Sequence, residues 1–254
     1  RREAGQLHPL VTLSPVGDLA FASDPAHRHR SRAADFVPVP GGATRILVDF
    51  MLRGPCEAAL DLGCGGGTLA AVAAGHARRV VATDVNSRAL AFARFNLELN
   101  GLHSVECREG SLFEPVRSDR FDLVVCNPPF VLSPAHTFVF RDGGPEITRQ
   151  IVAEAARHLT PGGTLQMLLE WPEAEGEDWR RGVAGWVEAS GCDAWLLRFN
   201  TEAPEAYAER WLRQEHEGGE IPAAALGAWV AHLEDQGIAS VGGGLLVLRP
   251  ATEA

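Results

Sequence analysis

Residues 58–67 read Ala-Ala-Leu-Asp-Leu-Gly-Cys-Gly-Gly-Gly. A short apolar run that ends on an acidic residue and a glycine cluster is a strand running into a tight turn. Such a turn lets a ligand approach the backbone closely, and the Ala-rich helix expected over 68–76 points its N–H donors at the same place. A dinucleotide fingerprint, G-x-G-x-x-G, counted from Gly63 and Gly65, needs glycine at position 68, where the chain has Thr68. The turn therefore fails the dehydrogenase spacing.

Working outward, strand and helix patterns alternate. Ala58–Leu62 is the first strand. Arg79–Val85 is the second, and a helix over 87–99 stops at Asn100-Gly101. Val105–Arg108 is the third strand, and Phe121–Cys126, almost wholly apolar, is the fourth. A helix over 147–159 meets Pro161-Gly162-Gly163, Thr164–Trp171 is the fifth strand, 178–190 a helix and Ala194–Phe199 the sixth strand. Alternation with short connections argues for an α/β fold, a mostly parallel sheet with helices on both faces. The pattern breaks at 204–236, which reads as a two-helix insertion before a last strand, Ser240–Leu248. Upstream, 43–53 has helical spacing, 23–42 is a loop, and 8–22 reads as a hairpin around Ser14–Asp18. This divides the chain into an N-terminal hairpin and loop (1–42) and a ligand-binding domain (43–254).

Composition narrows the function. Of 254 residues, 46% are hydrophobic and 22% charged, which suits an ordinary globular core. No apolar run approaches the roughly 18 residues of a membrane span, and no signal peptide is expected after Arg1-Arg2-Glu3. The net charge is −10 and every one of the 23 basic residues is Arg, so a broad nucleic-acid groove is not expected. The patch Arg28, Arg30, Arg32 reads as a solvated loop. Five cysteines without C-x-x-C pairs read as reduced thiols in a cytoplasmic protein with no metal site.

Three further stretches carry chemistry. Asp84 ends strand two about twenty residues past the glycines, where a carboxylate can accept both hydroxyls of a ribose. Asn86 or Ser87 is left to cap the helix that follows. Gly110-Ser111-Leu112-Phe113-Glu114-Pro115, beyond strand three, reads as a wall around a base. Asn127-Pro128-Pro129-Phe130 follows strand four directly. Two prolines fix φ and remove two N–H donors, so the Pro128 carbonyl is expected to face the cleft without a competing neighbour. With the Asn127 amide oxygen and the Phe130 ring, it offers two acceptors and a stacking face to a planar nitrogen group.

The order of acidic glycine turn, strand-two Asp and N-P-P-F resembles the class I methyltransferases that use S-adenosylmethionine (SAM). It resembles more narrowly the N-P-P-[YF] group, with its glutamine N5-, ribosomal-RNA guanine N2-, tRNA adenine N6- and DNA amino-methyltransferases, and the small methyltransferase domain proteins. The resemblance covers roughly residues 43–199. It implies a Rossmann-like seven-stranded sheet with an antiparallel last strand. It implies SAM lying across Gly63, Gly65 and Asp84, with Asp61, Asn86, Ser111, Leu112 and Asn127 around it, and Asn127, Pro128 and Phe130 catalytic. Ser111 stands where many relatives carry Asp, and the region after strand six is longer than usual.

The expected activity is methyl transfer to a planar amide or amine nitrogen of a protein glutamine, an RNA base or a small molecule. Two other readings stay open, a non-catalytic SAM-binding module and a nucleotide-dependent oxidoreductase. His136, in the loop after strand four, reads as a solvated side chain. Strand six should run parallel to the others, so the insertion should overhang the cleft, with Tyr207, Trp211 and Trp229 either walling the substrate or packing the helices onto the sheet.

Overall fold

The apolar run ahead of the glycine turn forms an interior strand of a seven-stranded sheet. The structure is a computed structural model that describes residues 2–3, 6–7, 9–216 and 219–251. In chain order the strands are β1 (Arg2–Glu3), β2 (Gln6–Leu7), β3 (Thr12–Val16), β4 (Leu19–Ser23), β5 (Cys56–Leu62), β6 (Ala77–Asp84), β7 (Val105–Glu109), β8 (Phe121–Cys126), β9 (Leu159–Glu173), β10 (Cys192–Glu202) and β11 (Ser240–Pro250). The helices are α1 (Ala26–Arg30), α2 (Gly42–Phe50), α3 (Thr68–Ala73), α4 (Ser87–Leu99), α5 (Gly144–His158), α6 (Arg180–Glu188), α7 (Pro204–Glu215) and α8 (Ala223–Asp235). No helix among the described residues is long and apolar enough to cross a membrane.

The large sheet has the order β10-β11-β9-β8-β5-β6-β7. The pairs from β9 to β7 are parallel. Strand β11 is antiparallel to both its neighbours, so β10 points the same way as the rest, as expected. Helices cover both faces. Buried residues of α2, α3, α4, α7 and α8 share one core with Ala59, Val80 and Val125. Those of α5 and α6 share the other with Leu60, Val124 and Trp171. The alternation of Ala59 and Leu60, both fully buried, shows why β5 reads as an unbroken apolar run.

Two expectations are corrected. Pro161-Gly162-Gly163 does not stop α5; the helix has already ended at His158, and the three residues lie inside β9. They form a bulge, since Phe121 pairs Leu159 while Leu123, two residues on, pairs Thr164. Gly163 is pressed there against the Phe121 carbonyl, 2.6 Å from where a Cβ would sit. The hairpin turn is tighter than Ser14–Asp18 suggests, because β3 continues through Pro15, which pairs Ala20, and leaves Gly17-Asp18 as the turn.

The hairpin is fastened to α4 by two asparagines. Asn96 accepts from Ala22 N at 2.7 Å and donates to Ala22 O at 3.0 Å and Gly66 O at 2.9 Å. Asn100 accepts from Ala20 N at 3.0 Å and donates to Ala20 O at 2.8 Å. Four residues of helix rise about 6 Å, and two residues of strand about 6.6 Å. The two amides therefore meet alternate residues on one edge of β4, as a neighbouring strand would. Asp24 extends the attachment: buried, it accepts from Val37 N at 2.9 Å and from Arg88 of α4. Residues 20–24 and 36–40 are thereby held over the sheet's carboxyl edge.

Asn96 is fully buried, so Asn96→Leu should strand the Ala22 and Gly66 carbonyls and cost about 2–4 kcal/mol. Urea unfolding checks the magnitude, and faster hydrogen exchange confined to residues 12–23 checks that the hairpin is what loosens.

Candidate active site

Strand order reverses between β5 and β8, and ligands of open parallel sheets bind outside the carboxyl ends at such a switch point. The turn after β5 is stitched to the end of β6. Gly63 N and Cys64 N both donate to the Thr83 carbonyl, at 2.9 and 2.8 Å. Gly65 N donates to Asp84 Oδ2 and Asn86 N to Asp84 Oδ1, both at 2.8 Å. Gly63, Gly65 and Gly67 take φ of 73°, 52° and 81°, conformations that side chains resist. Burial raises the pKa of Asp84.

The predicted cofactor residues separate into two sets. Gly63, Gly65, Asp84, Asn86, Ser111, Leu112 and Asn127 all line one cavity of about 300 Å³. Asn86 is also the N-cap of α4, accepting from Arg88 N and Ala89 N. Leu112 is held at φ 46°, an unusual strain for a bulky side chain. Gly110 is pressed on Pro115, whose Cγ lies 2.5 Å from where a Cβ would sit, so the wall admits no side chain there. Asp61 is not on the cavity wall. It is 1% exposed under the turn, where Oδ2 accepts from Ala70 N at 2.8 Å and Oδ1 has no partner among the described residues. Burial, with Asp84 nearby, raises its pKa to about 7.

A second cavity of about 750 Å³ adjoins the first, and Asn127 and Pro128 line both. Phe130 lines only the second. Asn127 Oδ1 is buried with no hydrogen-bond partner among the described residues. The Pro128 carbonyl, expected to be uncontested, in fact accepts from Phe130 N at 2.9 Å; the missing donor of Pro129 is replaced by the next N–H along. A carbonyl has two lone pairs, so one remains. His136 lies in neither wall and contacts the Asp142 carbonyl at 2.6 Å.

Several lining residues escape a reading of the sequence. Phe21, Phe36, Val37 and Pro38 bring the N-terminal segment to the first cavity. Arg28 and Arg32 of the basic patch are not simply solvated; they pair with Asp24, Asp35 and Glu215. The second cavity also carries Arg141, Glu170 and Arg210, and Gly243 and Gly244 of β11 line it where a Cβ would strike Asn200 and the Leu197 carbonyl of β10. One signal was available: Glu170 interrupts the apolar run of β9, and a lone acid in a buried strand needs a partner. Of the insertion's aromatics, Trp211 lines this cavity, whereas Tyr207 and Trp229 are buried in the core.

The family model of the methyltransferase small domain matches residues 41–172. The chain belongs to that family. Family members use SAM. A release factor glutamine methyltransferase of Geobacter sulfurreducens is 37% identical over 158 residues, 55% of either chain. A ribosomal RNA small subunit methyltransferase C of Alcanivorax borkumensis is 37% identical over 109 residues, 43% of this chain and 31% of the relative. The chain thus spans about half, or less, of the length of these curated relatives. Among solved structures, the YcgJ protein from Bacillus subtilis shares the fold, with a TM-score of 0.54 at 15% identity, covering 83% of this chain and 99% of its own.

Asp61 gives the family turn a pH signature. Its folded pKa of about 7 exceeds the unfolded value of about 4. The folded state holds the proton more tightly, so this contribution to stability is full below about pH 4 and is lost as pH rises through about 7. Wild type should therefore lose stability relative to Asp61→Asn between about pH 4 and 7. Parallel urea-unfolding profiles over that window would contradict the assignment.

Proposed function

We propose that the chain is a SAM-dependent N-methyltransferase acting on a planar amide or amine nitrogen. The observation that carries this reading is Asn127 Oδ1, a buried acceptor without a partner among the described residues, at the seam of two cavities. An orphaned buried oxygen is costly unless a ligand satisfies it. The first cavity, with the glycine turn, Asp84, Ser111 and Leu112, suits SAM; the second suits the methyl acceptor. Residues 43–254 make up the transferase unit, with 204–236 as its insertion and 1–42 as the segment that roofs it.

When bound, SAM would supply an electrophilic methyl group to the acceptor nitrogen: the N–CH3 bond would form as the S–CH3 bond breaks, S-adenosylhomocysteine would leave with the sulfur electron pair, and the surplus N–H proton would pass to solvent. Asn127 Oδ1 accepts one N–H of that nitrogen, and the remaining lone pair of the Pro128 carbonyl accepts the other. An amide nitrogen is a weak nucleophile because its lone pair is delocalised. Holding both N–H groups turns the lone pair out of conjugation and favours the positive charge that grows on nitrogen. Phe130 supplies an apolar face to the acceptor. Asp84 holds the ribose hydroxyls, while Asp61, beneath the turn, keeps α3 in register through Ala70 N.

The relatives' names offer protein glutamine and ribosomal RNA as acceptors. A net charge of −10 without lysine supports the glutamine side of that choice. Five free cysteines support a reducing, cytoplasmic compartment. Incubation with methyl-labelled SAM and fractionated cell extract tests the reading. Label should enter protein as N-methylated side-chain amide; its absence from protein, RNA and small molecules alike would refute transfer.

Two variants separate the cavities. Asp84→Asn should weaken SAM binding about 10–100-fold by calorimetry, the loss of one or two charge-assisted hydrogen bonds; unchanged affinity would remove Asp84 from the ribose. Asn127→Ala should slow transfer on the order of a hundredfold and leave SAM affinity within a few-fold. Wild-type turnover in that variant would remove Asn127 from the chemistry.

A further inference from the structure

We propose that Tyr207, in the insertion, is a positioning residue that sets the acceptor loop Asn127–Leu132; this rests on the methyl-transfer reading above. Tyr207 lies on α7 with no exposed surface. Its hydroxyl accepts from Leu132 N at 3.0 Å and donates to Glu170 Oε2 at 2.6 Å. A phenol has one proton, so donation to the carboxylate turns its lone pairs toward Leu132. Glu170 is fixed in turn, since its Oε1 accepts from Arg210 Nη2 at 2.8 Å and Arg210 also binds Glu202. The direction of the hydroxyl is therefore set by a chain of charge-assisted bonds across α7, β9 and β10, buried at Tyr207 and Glu170 and partly buried at Arg210 and Glu202.

The far side of the loop is held as well. Val131 N donates to the Arg141 carbonyl at 3.0 Å, and Gly143 N to the Pro129 carbonyl at 2.7 Å. Arg141, 3% exposed, binds Glu215 at the end of α7 at 2.7 Å. So α7 grips the loop directly through Tyr207 and indirectly through Arg141. Between the grip and Asn127 lie two prolines, whose fixed φ makes the link stiff. Only Phe130 and Val131 separate Leu132 from that stiff link, so on this proposal a displacement at Leu132 passes to Pro128 and Asn127. The insertion acts here as a brace beneath the acceptor site, and the two oxygens it places are those that must meet the acceptor nitrogen.

Tyr207→Phe removes the hydroxyl and keeps the ring. A residue that serves only as core would lose stability and leave turnover intact below the melting temperature. A positioning residue loses turnover at saturating acceptor, by about tenfold, because small misplacement of reacting groups is costly. SAM affinity by calorimetry should stay within about twofold. Transfer is measured with the extract fraction that takes label. Hydrogen exchange at Val131–Leu132 should rise about tenfold, a readout that needs no turnover. Trp229→Phe, which disturbs packing against the Tyr207 ring but no loop bond, should match wild type in turnover and in exchange at those residues. Unchanged turnover in folded Tyr207→Phe overturns the proposal, as does unchanged exchange. If wild type transfers no label, the methyl-transfer reading fails and the exchange result alone decides the brace. If Tyr207→Phe does not fold, Glu170→Gln keeps the hydroxyl and removes the charge that aims it. The same changes, smaller, are then expected, and their absence overturns the proposal.

Discussion

The turn after β5 stands because the end of β6 supplies acceptors for it. Gly63, Cys64 and Gly65 point three successive N–H groups at the Thr83 carbonyl and the Asp84 carboxylate. Consecutive glycines have many conformations open to them, and these bonds select one. The start of α3, the shape of the first cavity and the direction of Asp84 follow from that selection. Asp61 completes it from below by holding Ala70 N. Two carboxylates thus share a poorly solvated floor, and burial raises the pKa of each. A floor of this kind favours a ligand that brings positive charge to it.

The sheet is legible in the sequence because its signals are local. An apolar run that ends on glycines, and a helix such as α4 with an asparagine at either end, announce themselves locally. Asp84, Ser111 and Asn127 are legible for a related reason: each sits at or just past the end of a strand, at the edge where parallel sheets bind ligands. What escapes depends on contacts distant in sequence. Nothing near Phe36 or Val37 shows that Asp24 and Arg88 will hold that loop over the cavity. The bulge of β9 reads as a helix stop because Pro-Gly-Gly breaks a helix and swells a strand by the same loss of donors and side chains. Asp61 reads as a ligand because it stands beside the glycines, yet it is as buried as Leu60 and Leu62 on either side of it and lies under the turn, while Gly63 remains at the cavity.

The insertion shows how one element can serve two ends. Trp211 faces the second cavity while Tyr207 and Trp229 of the same helical pair fill the core beside it. Arg210 joins the two, its guanidinium stacked over Tyr207 and Trp211 and its bonds made to Glu170 and Glu202. The group is tolerated because each charge is paired, and removal of Arg210 would leave Glu170 and Glu202 without their shared counter-charge. Cavity wall and core are accordingly a single structure here, and the α7–α8 segment is no detachable lid.

The hairpin carries a different lesson. Asn96 and Asn100 bind the peptide groups of Ala20 and Ala22, not their side chains. Such a joint reads main chain, which every residue except proline presents alike. The surface that the hairpin turns toward the cavity can therefore diverge by substitution while the joint itself stays intact. A family built on this sheet could exchange one roof for another, and with it the ligands admitted, provided the helix beneath kept two amides one turn apart.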